Sequence, residues 1–491
     1  MHAIYDVAVI GCGPVGATLA NLLERQGRKV LVLDQFAEAY PLPRATHIDG
    51  EALRILQTAG VAEVLSPQLG IYSRMRFEDA EGTMLIDWPR SVEPGIHGWR
   101  DSNRFHQPDL ERALRARASE AARIELRLGW KVEDLAQNDE AVTISTVAPD
   151  GTAEEFLARF VVGCDGARSS VRQAIGAEVQ TLAPSEQWLV ADLILGPNAP
   201  ALPEGTVQYC DPARPFTYIE AVGQRRRWEV MLLPGDDPAQ FAEPEQVETL
   251  LLPWLAPGDG ELERAVVYTF NSVIASRWRN GRLLIAGDAA HQTPPFLGQG
   301  LCAGLRDAAN LSWKLAWVLD GRATPALLDT YQAELAPHVT QYIAEANRIG
   351  AIIQERDPER ARARDATLLA QPQVLVPIRP RFGGGAAPGD DPLAATLAPQ
   401  PRLSDGRLLD DVAPLQFVLL GRAALLDQID RATQAMWSQA EVAVLPDEAL
   451  DYLDAIGADA VMIRPDHYIL GTARTADELE ALTRALPLGA D

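Results

Sequence analysis

Along the first third of the chain, short apolar runs alternate with segments whose apolar residues recur at helical spacing. Tyr5-Asp6-Val7-Ala8-Val9-Ile10 reads as a buried strand, residues 14–26 place Val15, Leu19, Leu22 and Leu23 on one helix face, and Lys29 to Leu33 is a second buried strand. Together they form one βαβ unit. Helices are expected at 50–59 and at 108–122, the second opened by Pro108 at a first-turn position, with strands at 123–128, 141–147 and 154–163.

After about residue 180 the pattern changes. Segments 188–195, 206–210, 216–222, 227–233 and 265–273 are rich in β-branched and aromatic residues and are separated by Pro/Gly turns, which predicts an antiparallel sheet inserted into the α/β part. The strand Leu283-Leu284-Ile285-Ala286 restores the α/β pattern, and helices are expected at 302–320 and 325–354. Residues 377–402 hold Gly383-Gly384-Gly385 and several prolines with little periodicity and read as a linker; beyond it, 415–484 alternates strand and helix again. The expected organisation is a core from 1–180 and 275–376, an inserted sheet over 181–274, the linker, and a small C-terminal α/β unit over 403–491.

Composition narrows the function. The 491 residues, 47% apolar, suffice for two to four domains with large cores. Acids outnumber bases 68 to 44, a formal net charge of −24, so the chain is repelled by nucleic acid phosphates and anionic headgroups, and nucleic acid binding is set aside. Cys12, Cys164, Cys210 and Cys302 lie far apart with no CxxC and no Cys/His cluster, so no metal site is expected and a reduced, cytoplasmic chain is. No stretch approaches the roughly 18 apolar residues of a bilayer span, and no secretory leader precedes the first strand.

Gly11-Cys12-Gly13-Pro14-Val15-Gly16 fits GxGxxG between a strand and a helix, and Asp34 ends the second strand. Gly11 permits the tight turn, Gly13 lets backbone approach a pyrophosphate, Gly16 lets helix pack on strand, the helix N-terminus attracts the anion, and Asp34, with Gln35 beside it, can meet a ribose hydroxyl. This predicts dinucleotide binding. No second such unit exists, since the Gly383 run has neither a preceding strand nor a following helix, and one unit plus an inserted sheet suggests tightly held FAD.

Two further stretches carry a family resemblance. Cys164-Asp165-Gly166-Ala167-Arg168-Ser169-Ser170-Val171-Arg172 resembles the DG motif, and Gly287-Asp288-Ala289-Ala290-His291 with Pro294-Pro295 and Gly298-Gln299-Gly300 resembles the GD motif, of single-component FAD-dependent aromatic hydroxylases. The resemblance spans roughly residues 3–350, and Tyr40-Pro41-Leu42-Pro43-Arg44-Ala45 and the run from Gln299 to Leu311 look most like the 3-(3-hydroxyphenyl)propionate and phenol hydroxylase branch. It implies a Rossmann-like FAD-binding domain, an inserted substrate sheet and a thioredoxin-like C-terminal domain, here without any cysteine and hence without thiol chemistry. It also implies reduction of FAD by NADH or NADPH, reaction with O2 to a flavin C4a-hydroperoxide, and hydroxylation of a phenolic ring. A homodimer is the expectation from the prevalence of twofold assemblies.

The resemblance also assigns residues. Asp288 is to accept from FAD hydroxyls; Gly287, Gly298, Gln299, Gly300 and Leu301 are to bring backbone and a helix N-terminus to the flavin; Arg44 is to lie along the cofactor and Gln107 to contact it; Asp165, Gly166 and Arg168 are to support FAD and touch the nicotinamide cofactor. Asp49 and His47 are candidates for drawing the phenol proton, although an Asp just before a helix also suits an N-cap. Trp188, Tyr209, Phe216 and Tyr218 from the sheet, with Pro295 and Phe296, are to surround the substrate, and Arg214 to pair with a substrate carboxylate. Strand alternation puts Phe216, Tyr218 and Glu220 on one face and Thr217, Ile219 and Ala221 on the other, and only one face can meet the pocket. His291 reads as a loop-fixing residue, Arg225-Arg226-Arg227 as a solvated hairpin tip, and Trp313 and Trp317 as core. Rivals on the same scaffold are Baeyer–Villiger or epoxidising oxygenation and a non-catalytic flavin-bound sensor or ligand-sequestering protein; a halogenase is disfavoured because its Trp-x-Trp-x-Ile-Pro stretch is missing.

Overall fold

The computed structural model describes residues 4–373, 375–383 and 391–489. The βαβ unit forms as its apolar runs dictate: strands Ile4–Ile10 and Val30–Asp34 pair in parallel around helix Pro14–Arg25, and Val7, Ala8, Val9 and Leu31 are wholly buried. They sit in an eight-stranded sheet whose main path runs Arg279–Asn280, Leu283–Ile285, Ala153–Gly163, Ile4–Ile10, Val30–Asp34, Ile124–Leu128, with Val142–Val147 and Lys131–Gln137 branching off as antiparallel partners. Helix Gly300–Leu319, buried along nearly all its length, covers one face of the unit.

A second eight-stranded sheet runs His291–Gln292, Gly260–Ala275, Val179–Leu195, Arg225–Met231, Phe216–Glu220, Thr206–Tyr209, Arg74–Glu78, Met84–Pro89. It is antiparallel except where Thr206–Tyr209 lies parallel to Arg74–Glu78. The sheet thus reaches beyond 181–274 by recruiting residues 74–89, whose single hairpin showed no turn signal strong enough to tie it to a sheet formed a hundred residues later. Helices Pro238–Phe241 and Pro244–Leu251 cover one face, burying Phe241, Val247 and Leu251 against Tyr218 and Trp228. Helix Pro358–Ala370, absent from the sequence reading, contributes Leu368 to the cluster on the other face.

Arg225-Arg226-Arg227 corrects another expectation. Arg225–Met231 is a strand, and Arg227 is 3% exposed, ion-paired with Asp192 at 2.7 Å and donating to the carbonyls of Pro43 and Arg44 at 2.6 and 2.8 Å. The strand begins two residues before its apolar run, so the third arginine points inward and finds a carboxylate instead of water.

The C-terminal residues form a four-stranded sheet in the order Ala443–Pro446, Val418–Gly421, Ala460–Ile463, Ile469–Ala473. The expected linker is packed where it is described: Phe382 stacks on Tyr468 with ring centroids 3.5 Å apart, Ala395 N–H donates to Ile469 O at 2.8 Å, and Ala394 and Ala398 are fully buried; Gly384, Gly385 and the rest of 384–390 lie outside the described residues. Trp313 and Trp317 pack edge-on to each other and against Phe417, so the core is continuous from the first domain into the last. No helix among the described residues is long and apolar enough to cross a membrane.

Candidate active site

The glycine turn is held as close to its neighbours as the backbone allows. Gly11 has φ +102°, and a Cβ there would stand 2.4 Å from the carbonyl oxygen of Cys164; one on Gly16 would stand 2.0 Å from Gly11 O, whereas the Cβ position of Gly13 faces open space. Helix Pro14–Arg25 starts with no side-chain cap, so its first N–H groups and the positive end of its dipole remain for a ligand. Asp34 accepts from Cys12 N–H at 2.7 Å and from Phe36 N–H at 2.8 Å, which orients its carboxylate beside the turn, and Gln35 follows on the surface. Under the same helix, Val15 fills the space that a Cβ on Gly287 or Gly304 would enter, at 3.1 and 2.5 Å.

The two other motif segments meet this turn. Asp165 accepts from Ser170 N–H and Oγ at 2.7 and 2.9 Å, Gly166 has φ +77°, and Arg172 donates to Ala289 O at 3.1 Å, joining both segments; Arg168 is exposed and unpaired among the described residues. Asp307, from helix Gly300–Leu319, accepts from Gly287 N–H at 2.7 Å and lies 2.8 Å from His291 Nε2. Burial lowers the His291 pKa, but Asp307 outweighs it and the net shift is upward. Asp288 is exposed and its carboxylate makes no hydrogen bond among the described residues. A turn that excludes a Cβ at Gly11 and Gly16 and is open at Gly13, an uncapped helix end, and two carboxylates beside them fit a dinucleotide's pyrophosphate and ribityl or ribose hydroxyls.

Two cavities adjoin each other across His47, Arg90 and Leu297. The first, about 520 Å³, is walled by Thr206, Gln208, Thr217, Ile219 and Glu229 of the sheet, by Tyr72, Met75, Arg90 and Arg104, and by Thr46, His47 and Pro295–Gly298. The second, about 780 Å³, lies between Asp49, Gly50, Glu51, Gln299, Arg306 and Tyr342, the segment 376–380, and Tyr468 of the C-terminal unit. His47, Arg90 and Leu297 belong to both walls.

The sheet therefore presents its other face to the cavity. Tyr209 and Phe216 stack at 4.2 Å and pack with Trp254, and Tyr218 packs on Trp228, all beneath helices Pro238–Phe241 and Pro244–Leu251 and away from the first cavity. Trp188, fully buried between Phe270 and Phe296, lies in the core outside both linings. Arg214 is ion-paired with Asp236 at 2.7 Å and donates to Met231 O, so it does not reach the cavity either. Alternation along a strand is symmetric, and the side chosen here follows from the covering helices. Of the expected substrate residues, Pro295 and Phe296 do line the cavity, with Pro295 O accepting from Gly298 N–H at 2.8 Å.

Asp49 and His47 lie together but differ in availability. Asp49 caps helix Gly50–Thr58, accepting from Ala52 N–H at 2.8 Å, and its second oxygen is 2.5 Å from Arg306; burial alone raises its pKa, yet Arg306 and the capping bond bring it down to about 2. Both oxygens are committed, so the capping alternative describes it. His47 Nδ1 is 3.3 Å from Gly298 O, and its buried Nε2 has no partner among the described residues. Burial first, and then the charge of Arg90, lower its pKa to about 4. Gln107 turns its oxygen to Arg44 and Ala45 N–H at 3.2 and 2.8 Å and its nitrogen to Glu111, fixing the segment on which Arg44 stands exposed over Tyr40. Gly298, at φ +64°, and Gln299 lead into helix Gly300–Leu319, whose N-terminus also has no side-chain cap; Gln299 Oε1 accepts from Arg306 at 3.1 Å, and Leu301 is half-buried at the same end. Glu51, Tyr72 and Gln208 had no local motif to announce them, and Arg306 stood in the run from Gln299 to Leu311 without an assigned role. They meet only through tertiary packing.

A dinucleotide-type turn, and two adjoining cavities with an unpartnered imidazole in their shared wall, suit a protein that holds a dinucleotide cofactor and a small ligand. Residues 4–346 match the FAD binding domain family. Over 98% of its length the chain is 35% identical to a "Probable NADH-specific resorcinol 4-hydroxylase" of Rhodococcus jostii, covering 94% of that protein. It is 33% identical, over 94% of its length and 93% of the relative's, to a 3-(3-hydroxy-phenyl)propionate/3-hydroxycinnamic acid hydroxylase of Burkholderia cenocepacia. Among solved structures, OxyS anhydrotetracycline hydroxylase of Streptomyces rimosus aligns over 99% of this chain and all of its own, at TM-score 0.78 and 28% identity. Aklavinone-11 hydroxylase with FAD and aklavinone shares the fold at TM-score 0.81 and 24% identity, over 99% of both chains. The chain belongs to the FAD-binding-domain family, among its FAD-dependent aromatic hydroxylases.

Proposed function

We propose that the protein hydroxylates a phenolic ring held in the first cavity, with NADH, the reductant in its Rhodococcus relative's name, as the electron source and O2 as co-substrate. The observation that carries this is His47: a buried Nε2 without a protein partner, in the wall facing Gln208, Thr217 and Pro295. Bound FAD supplies hydride acceptance and the activation of O2 for transfer of one oxygen atom to the ring. A backbone carbonyl can only accept, so Gly298 O assigns the imidazole proton to Nδ1 and leaves the lone pair on Nε2. Burial and the charge of Arg90 keep the ring neutral at physiological pH, so Nε2 is free to accept a hydrogen bond from the phenol hydroxyl and draw electron density toward the ring as the oxygen atom is transferred. Asp49 acts one step back, through Arg306 and the capped helix, and is a positioning residue.

Gly11, Gly13, Pro14, Val15, Gly16, Asp34 and Gln35 are assigned to the FAD pyrophosphate and adenosine ribose, Asp288 to the flavin side, and Gly298, Gln299, Gly300 and Leu301 to the isoalloxazine. Arg44, Gln107, Asp165, Gly166 and Arg168 frame the cofactor, with exposed, unpaired Arg168 offered to the nicotinamide's phosphates. The C-terminal unit is assigned a thioredoxin-like fold. Strand Val418–Gly421 runs parallel to Ala443–Pro446 across helix Arg431–Gln439, and an antiparallel hairpin and a last helix, Ala476–Thr483, follow.

The test is NADH oxidation by the yellow protein with resorcinol and 3-(3-hydroxyphenyl)propionate, quantifying peroxide and product mass together. A phenol that accelerates oxidation and gains one oxygen atom is the expected result; flavin-free protein, or oxidation yielding only peroxide with every phenol, overturns the proposal. His47→Gln is expected to lower kcat by about 10²-fold or more with FAD binding intact, and an electron-poor phenol, already ionised, should lose less.

A further inference from the structure

Four arginines line the two cavities, and three have carboxylate partners. Arg104 is 2.8 Å from Glu220, Arg306 is 2.5 and 2.6 Å from Asp49 and Glu51, and Arg379 is 3.0 Å from Asp101. Arg90 has none among the described residues: its side chain makes no hydrogen bond or ion pair, and its Nε is buried without an acceptor. Its guanidinium lies 3.4 Å from the Trp88 ring centroid and 5.8 Å from that of Tyr72. Stacking of this kind fixes the plane of the fork and leaves its edge N–H groups for a ligand. Asp101, whose charge favours the Arg90 cation, is bridged to Arg379 instead, and burial of Arg90 pulls its pKa down. Glu229, the acidic residue in the first cavity's wall, lies 3.8 Å from Arg227 and makes no ion pair with Arg90.

Arg90 is half-buried, its Nε has no acceptor and no carboxylate bonds its fork among the described residues, and a planar fork suits a ligand carboxylate's two oxygens. Arg90 also stands where the cavities adjoin, beside His47, so an anion on it leaves the attached ring in reach of the imidazole. We propose that Arg90 binds the carboxylate of a phenol carrying an acid side chain and thereby determines which phenols are accepted. The assignment rests on the hydroxylase reading and gives the carboxylate role expected of Arg214 to a residue 124 positions earlier in the chain, on a different strand end.

The experiment measures dissociation constants from perturbation of the flavin absorption spectrum of the FAD-loaded protein, with three ligands: 3-phenylpropionate (acid, no phenol), 3-(3-hydroxyphenyl)propionate (both) and 3-propylphenol (phenol, no acid). Arg90→Met should weaken both acids about tenfold or more and leave 3-propylphenol within about twofold; Arg90→Lys, keeping the charge without the fork, should fall between. Unchanged binding of the acids in Arg90→Met overturns the proposal, as does a wild type that binds neither acid. Weakening of both phenols with 3-phenylpropionate untouched also overturns it and makes the phenolate the ligand of Arg90. Acids that bind through Arg90 without being hydroxylated uphold the assignment and sink the hydroxylase reading, so the two failures are separable. Thermal midpoints and flavin content of both variants verify that they fold.

Discussion

At the scale of single residues, the site is organised by Arg306. It is 3% exposed and holds three acceptors: Asp49, Glu51 and the side-chain oxygen of Gln299 at the start of helix Gly300–Leu319. Glu51 in turn accepts from Tyr468 of the C-terminal unit at 2.9 Å. Arg306→Met removes the cation and leaves two buried carboxylates side by side, a change expected to cost on the order of 3–5 kcal/mol. Urea denaturation measures it, and a loss below about 1 kcal/mol would show that the cluster is as weak as a surface pair. The sequence could place Asp49 before a helix, because capping is a local event, and could single out His47. It placed Arg306 only within the run from Gln299 to Leu311 and gave it no role, since an arginine inside an apolar helix becomes a site residue only when Asp49 and Glu51, 257 and 255 positions earlier, come to face it.

The elements show the same divide between local and tertiary information. Gly11, Gly13 and Gly16 were legible because a turn between strand and helix constrains its own residues. Gly304 was noticed only as part of a resemblance, yet a Cβ there would stand 2.5 Å from Val15 Cγ2, and helix Gly300–Leu319 packs on helix Pro14–Arg25 through that point. Gly304→Ala must push the two helices apart, at a cost of about 1–3 kcal/mol, and the displacement falls on the glycine turn proposed to hold the pyrophosphate. Titration of the apoprotein with FAD should show affinity reduced about tenfold or more; equal affinity would place the cofactor elsewhere. Strand Phe216–Glu220 makes the converse point, since its period was read correctly and its inward face was not. Thr217 Oγ1 donates to Gln208 at 2.5 Å in the cavity wall, while Tyr218 lies under the covering helices. Thr217→Val should therefore change KM for the aromatic substrate about threefold or more, and Tyr218→Phe should leave it within twofold, the hydroxyl being one weak bond at most. The reverse ranking in steady-state kinetics would mean that the sheet offers its other face.

For the whole molecule, the distribution of histidines makes stability depend on pH in a direction the net charge of −24 does not predict. Four of the seven are held below the usual imidazole range, in each case chiefly by burial: His47 and His467 at about 4, His97 at about 3, and His338 well below 6.5. They are spread across the structure. His467 lies 3.3 Å from Asp410 beside buried Arg54, and His338 lies 3.3 Å from the Tyr468 hydroxyl, both where the C-terminal unit meets the core, while His47 and His97 line the cavities. Because these pKa values are depressed on folding, the unfolded chain takes up protons first. Stability is complete above about 6.5 and is lost progressively as the pH falls toward 4. Each histidine contributes a slope of at most about 1.4 kcal/mol per pH unit, so four together approach about 5.5 kcal/mol per unit against a total that is on the order of 5–15 kcal/mol. Glu51 and Glu229, whose pKa values burial raises, take up protons in the folded state and offset part of this. His291, raised by Asp307, works at higher pH and opposes the trend only there. The expected result is a fall in urea-unfolding free energy between pH 6.5 and 5 with a slope of at least two protons, reduced by about one in His467→Gln. A stability flat across that interval would mean that the buried histidines take up protons in place, with water reaching the seam between the C-terminal unit and the core.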